Sequence, residues 1–285
     1  MKFLTAADAR RMEAAEEYGA LRYAQAIGPL HPEWNSTWEQ FAGGHIIFVA
    51  RHSMVGRAHG LGFAGSITMQ DIEHVEQFYF QREYDAQVDV CPYAHPSLFE
   101  ALNQRGFQVA EFNQTLARWI HPEESFSRPA LEGIEIRAVK PDEAAAWSRM
   151  LAHVFMGEHA PQFESFFAPW ANGEHPLTLA AFKEGKMIAG CGGLIVPEHN
   201  MAAYFGAATF PEYRGQGIQT AFMQERLRIT QEAGCDLAVT LTMPDTTSQR
   251  NAERAGFRTA YTKVVVSKKH PTSASSSPPV VNYSE

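Results

Sequence analysis

The segment that most constrains the fold runs from Ala203 to Phe222 and reads AYFGAATFPEYRGQGIQTAF. A strand-like run stops at Pro211, two glycines follow at Gly215 and Gly217, and a helical pattern opens close behind them. The first N–H groups of a helix have no intrahelical partner. They point outward, and the helix dipole favours an anion in front of them. Glycines let the backbone approach such an anion closely. The spacing therefore suits a pyrophosphate, and Arg214 either adds a charge to the loop or orients it.

The surroundings set this loop in a mixed sheet. Gly133–Arg137 reads as a short strand, Pro141–Met156 as a helix opened by proline, and Gln162–Trp170 as a shorter, phenylalanine-rich helix. Leu177–Phe182 and Met187–Val196 form a hairpin around Glu184-Gly185, and Met201–Phe210 is the strand before the loop. Then come a helix over Ile218–Ala233, a strand over Leu237–Met243, a helix over Ser248–Ala255 and a strand over Phe257–Val266. That order implies a sheet covered by helices.

The first half repeats the later part of this order. A covering helix over Ala6–Ala26 precedes a helix over Asp71–Phe80. A strand over Gln87–Cys91, a helix over Ser97–Arg105 and a strand over Phe107–Phe112 follow. Both halves end their last helix alike, at Arg105-Gly106-Phe107 and Ala255-Gly256-Phe257. Glycine is expected just past a helix end, where a left-handed backbone is needed. The shared order and the shared stop suggest an internal duplication. The polar, proline-bounded stretch 121–130 reads as a linker between domains at 1–120 and 131–270, and the serine- and proline-rich residues 271–285 read as a disordered tail.

Bulk properties exclude several classes. The net charge of −8 argues against nucleic acid as a partner. Three dispersed cysteines argue against a disulfide framework, and no spacing marks a metal site. Residues 1–20 contain no apolar signal core, and no apolar run reaches membrane-spanning length, so the chain reads as soluble and cytoplasmic, without a membrane partner. Gly60-Leu-Gly-Phe-Ala-Gly65 satisfies a dinucleotide-binding spacing, but four residues separate its last glycine from the next helix.

The Ala203–Phe222 segment resembles the coenzyme fingerprint of the GNAT superfamily of N-acetyltransferases: Arg or Gln, two residues, Gly, one residue, then Gly or Ala. Arg214 and Gly217 match, and Gln219 departs from the last position. The resemblance covers about Gly133 to Lys268. It implies an α/β fold (an α+β mixed sheet) in two GNAT-like domains, each a mixed, mostly antiparallel sheet flanked by helices. The first would be degenerate and without a coenzyme loop.

The resemblance further implies acetyl-coenzyme A as acyl donor, no metal, and a small-molecule or peptide amine as acceptor. The oligomeric state stays unread. Carried over, Ala207, Ala208 and Thr209 would pair with the pantetheine arm, and the amides of Gly215, Gln216, Gly217, Ile218, Gln219 and Thr220 would hold the pyrophosphate. Asn251 would face the pantetheine or the sulfur, and Glu158 and His159 would touch substrate. The family's usual carboxylate is missing from Ala203–Pro211, and Ala252 stands where many members carry a tyrosine acid. Tyr204 and Tyr261 are the substitutes the sequence offers, against the plainer reading of both as core tyrosines. A non-catalytic acyl-coenzyme A sensor is the competing function.

Overall fold

The computed structural model describes residues 4–51, 53, 55–157 and 163–272. Contacts divide the described chain into two compact units: residues 4–114 with 260–272, and residues 115–259.

In the first unit, α1 (Ala6–Ile27) opens on a capping box between Thr5 and Asp8. It is followed by β1 (Thr37–Phe41), β2 (Gly44–Phe48), β3 (Ala58–His59), α2 (Met69–Phe80), β4 (Ala86–Val90), α3 (Ser97–Gln104) and β5 (Gln108–Trp119). The strands lie in the order β1-β2-β3-β4, then the late strand β11 (Arg258–Lys268), then β5. The pairs β1-β2, β2-β3 and β4-β11 are antiparallel, and β3 and β4 meet in parallel at Ala58 and Val88. Ile46, Val75, Tyr79, Val88, Leu98 and Phe107 sit at the centre of the core.

The second unit holds β6 (Ile134–Ala138), α4 (Ala144–Met156), α5 (Ala168–Asn172), β7 (Leu179–Lys183), β8 (Lys186–Val196), β9 (Met201–Thr209), α6 (Ile218–Glu232), β10 (Leu237–Thr242) and α7 (Thr247–Arg254). Its order is β5-β10-β9-β8-β7-β6, with β6 to β9 antiparallel and β9-β10 parallel. Two apolar clusters fill it, one around Tyr204, Leu227, Ala238 and Phe257 and one around Leu179, Ile188 and Phe222.

The expected mixed sheet with flanking helices is present. The two helix stops also share their hydrogen bonds. Gly106 and Gly256 have φ of 80° and 88°. Phe107 N–H donates to Leu102 O and Phe257 N–H to Ala252 O, five residues back in each case.

Several boundaries differ from the sequence reading. Pro141–Glu143 is a 3-10 turn, so the helix proper begins at Ala144. The short helix expected over Gln162–Trp170 is instead α5, and residues 163–167 lie in a short 3-10 element and turns; Gln162 lies outside the described residues, as does the tail beyond Thr272. The unit division falls inside β5 and β11 rather than at 121–130, and residues 264–268 of β11 pair with β4. The 121–130 stretch is tied down within the second unit. Phe126 is buried in its core, and Gln231 Nε2 donates to His121 O and Glu124 O at 2.8 Å each.

Candidate functional site

The strands β9 and β10 run paired for four residues and then part. Their register is Leu237 with Met201, Ala238 with Ala202, Val239 with Ala203 and Thr240 with Tyr204. β9 pairs with β8 along its whole length, and beyond Tyr204 it keeps to β8 through a bulge. Gly192 pairs with Phe205 and Gly190 with Ala208, so Gly206 and Ala207 together oppose Cys191. Gly206 has φ of 54°, a left-handed value suited to glycine. Ala207 is exposed, while Ala208 and Thr209 are buried. The result is a cleft between two parallel strands, with unpaired backbone along one wall.

The glycine loop closes one end of this cleft. Pro211–Tyr213 make a single 3-10 turn, and α6 begins after Gly217, whose φ is 81°. No side chain caps the helix. Its first intrahelical bond runs from Ala221 N–H to Gly217 O at 3.0 Å, so the N–H groups of Ile218, Gln219 and Thr220 have no intrahelical partner. Arg214, Gly215, Gln216 and Gly217 are exposed. The loop thus offers outward amides at the positive end of a 15-residue helix.

Two side chains hold the loop. Arg214 Nε donates to Thr209 O at 3.3 Å, so Arg214 orients the loop on the end of β9. Gln219 Nε2 donates to Thr209 Oγ1 at 2.9 Å. The residue that departs from the family pattern therefore folds back onto the strand. Beside the bulge, buried Arg226 donates to Gly192 O at 3.1 Å and stacks on the Tyr204 ring.

The counterpart in the first unit is built differently. The Gly60–Gly65 segment follows β3, but α2 is capped by its own side chains: Asp71 N–H donates to Thr68 Oγ1 and Thr68 N–H to Asp71 Oδ2. A carboxylate already sits where an anion would bind. The loop is also stitched to the start of α3, through His95 N–H to Gly62 O at 2.9 Å and Ile67 N–H to Ser97 Oγ at 2.7 Å.

The other expected residues are scattered. Tyr204 is buried, and its hydroxyl hydrogen-bonds Thr230 Oγ1 at 2.7 Å; burial pushes its phenol upward. Tyr261 belongs to the first unit, where its hydroxyl donates to Glu13 Oε1 at 2.6 Å; burial, joined by the Glu13 charge, raises it. Both tyrosines occupy core positions, each with its hydroxyl engaged within its own unit. Asn251, on α7, accepts from Arg254 at 2.9 Å. Glu158 and His159 lie outside the described residues.

Sequence reasoning missed a charged network in the first unit. Lys263 is fully buried, with Nζ 2.6 Å from Glu16, 3.4 Å from Glu13 and 3.5 Å from Asp89. His59 Nδ1 lies 3.0 Å from Asp89. Glu16, His59 and Asp89 bring potential ligand atoms within 4.8 Å of one another, but the Lys263 ammonium already supplies a cation there.

Comparison with known proteins speaks to the family and the fold. Residues 143–257 match the family model described as the acetyltransferase (GNAT) family, and they are a domain of that family. Among solved structures, the chain is similar to a GCN5-related N-acetyltransferase from Kribbella flavida at 16% identity, over 89% of this chain and 96% of that one, with a TM-score of 0.60. It is similar to a tandem GNAT protein from the clavulanic acid biosynthesis pathway at 12% identity, over 80% and 74%, with a TM-score of 0.57. A GCN5-related N-acetyltransferase from Sphaerobacter thermophilus is similar at 18% identity, with a TM-score of 0.51; the match covers 65% of this chain and 60% of that one. At such identities the likeness is one of fold. No curated protein matches the chain in sequence.

Proposed function

We propose, for a chain whose residues 143–257 are a GNAT-family domain, that this domain moves an acetyl group from acetyl-coenzyme A to an amine of a small molecule or peptide. The observation that carries the reading is the parting of β9 and β10 after Tyr204 and Thr240, with an uncapped helix N-terminus at the end of the resulting cleft. The loop amides from Gly215 to Thr220 hold the pyrophosphate. Ala207, Ala208 and Thr209 pair with the pantetheine arm as an added strand would, and Asn251 faces that arm from α7. An N–H group on the Gly206-Ala207 bulge polarises the acyl carbonyl and the oxyanion that forms from it.

An attacking amine must be neutral, and a lysine-like amine has a pKa of ~10.4. Its proton leaves through water or a base, and β9 carries no carboxylate to serve as one. The first unit takes no coenzyme in this reading, because Asp71 occupies the corresponding helix start.

A second reading is a non-catalytic acyl-coenzyme A sensor. It is favoured by Tyr204, whose hydroxyl is engaged with Thr230, and by Ala252 in the position of the family's tyrosine. Coenzyme A should raise the melting temperature, since a ligand bound only by the native state stabilises it. The absence of any shift at saturation would end both readings. Thiol release from acetyl-coenzyme A with a panel of amines separates them: release supports the transferase, and binding without release supports the sensor.

A further inference from the structure

Two threonines on one face of β10 differ in a way that the parting of the strands explains. Thr240 is level with Tyr204, and its hydroxyl donates to Tyr204 O across the strand pair at 3.0 Å. Thr242 follows on the same face, because side chains alternate along a strand. It is only 6% exposed, and its Oγ1 is buried without a hydrogen-bond partner among the described residues. Continued in parallel, the register would set Thr242 level with Gly206. There β9 bulges and turns away, and the acceptor that Thr242 would have met goes with it. Buried polar groups almost always have partners, so an orphan at the mouth of a cleft points to what enters the cleft.

We infer that Thr242 Oγ1 donates a hydrogen bond to an amide carbonyl of an extended ligand arm lying between β9 and β10, and so fixes how far that arm slides along the cleft. The inference rests on the coenzyme reading above and adds a chemical requirement to it. The ligand carries an acceptor in its arm, two residues beyond the last paired position, which a bare nucleotide does not.

The test is calorimetric titration of the full chain with coenzyme A and with ADP, which has the pyrophosphate but no arm. Thr242→Val keeps the side-chain shape and removes the hydroxyl; Thr242→Ser keeps the hydroxyl. The valine variant is expected to bind coenzyme A about tenfold more weakly. Its ADP affinity should be unchanged, and its melting temperature without ligand should be equal or higher, since an orphan hydroxyl has been removed. The serine variant should recover the coenzyme A affinity. Equal coenzyme A affinity in wild type and T242V overturns the contact while leaving the coenzyme reading intact. Parallel losses for coenzyme A and ADP, or a lower melting temperature in the free valine variant, also overturn it, because the hydroxyl then has a structural role. A wild-type protein that binds neither probe overturns the coenzyme reading, and this contact falls with it.

Discussion

Gln219 Nε2 donates to Thr209 Oγ1 at 2.9 Å, so the first turn of α6 is tied to the last residue of β9. Arg214 Nε reaches the carbonyl of the same threonine at 3.3 Å. The glycine loop is thereby anchored at both ends on one residue. A site held in its binding conformation loses less freedom when the ligand arrives.

Removing the tether should cost affinity more than stability. A neutral hydrogen bond contributes about 0.5–1.5 kcal/mol, so Gln219→Ala should weaken coenzyme A about threefold to tenfold. The melting temperature of the free protein should move little, because Gln219 is only half-buried. Titration calorimetry checks this, and undiminished affinity would show that the loop is held without Gln219.

Gly217 tests the backbone of the cradle. A Cβ built there meets Leu131 Cδ2 at 3.5 Å, an ordinary contact, so space is not the obstacle. The φ of 81° is, at about 1–2 kcal/mol for a residue with a side chain. Gly217→Val should lower the unfolding free energy measured in urea by that much and reduce coenzyme A affinity as well. Full affinity at unchanged stability would mean that the loop tolerates another conformation.

Tyr204→Phe separates core from chemistry. The variant loses the buried bond to Thr230 and should be destabilised by about 0.5–1.5 kcal/mol. Acetyl transfer per folded molecule should stay at the wild-type rate. A collapsed rate with stability intact would instead place the phenol in the reaction.

The charged network of the first unit should dominate its response to pH. Burial alone would raise the Asp89 carboxyl, but Lys263 and His59 hold it well below its usual 3.8. A depressed carboxyl contributes stability that is present above 3.8 and is lost as pH falls through the lowered value. Burial alone would lower His59, but the Asp89 charge raises it above 6.5. That contribution is fully present below 6.5 and is lost as pH rises through the raised value. Stability should therefore be greatest between 3.8 and 6.5 as far as this pair decides it. Denaturant unfolding across pH is the measurement, and a flat profile in both wild type and Asp89→Asn would refute it. Lys263→Met leaves buried carboxylates unbalanced and should cost about 3–5 kcal/mol.

Local chemistry was the legible part. The stops at Gly106 and Gly256 follow from a left-handed position that glycine fills, and their hydrogen bonds match. The helix start at Ile218 follows from Gly217 in the same way. Tyr204 was legible as a candidate but its place was not: alternation says which residues share a face of β9, not that the hydroxyl of Tyr204 meets Thr230 on α6. Tyr261 and Glu13 are 248 positions apart, and nothing local to either foretells their bond.

Turns, helix ends and the glycine loop are readable along the chain, because each depends on the φ, ψ and hydrogen-bonding needs of a few consecutive residues. The order of strands and helices is also readable from Asp71 onward, through the periods of their apolar residues, whereas β1, β2 and β3 escape that reading. Packing sets the rest: β11 lies beside β4, β9 leaves β10 after Tyr204, and Lys263 is buried among three carboxylates. These are choices among partners distant in sequence. They are made by which apolar faces can be buried together and which buried polar groups can be satisfied, and both exist only once the chain is packed.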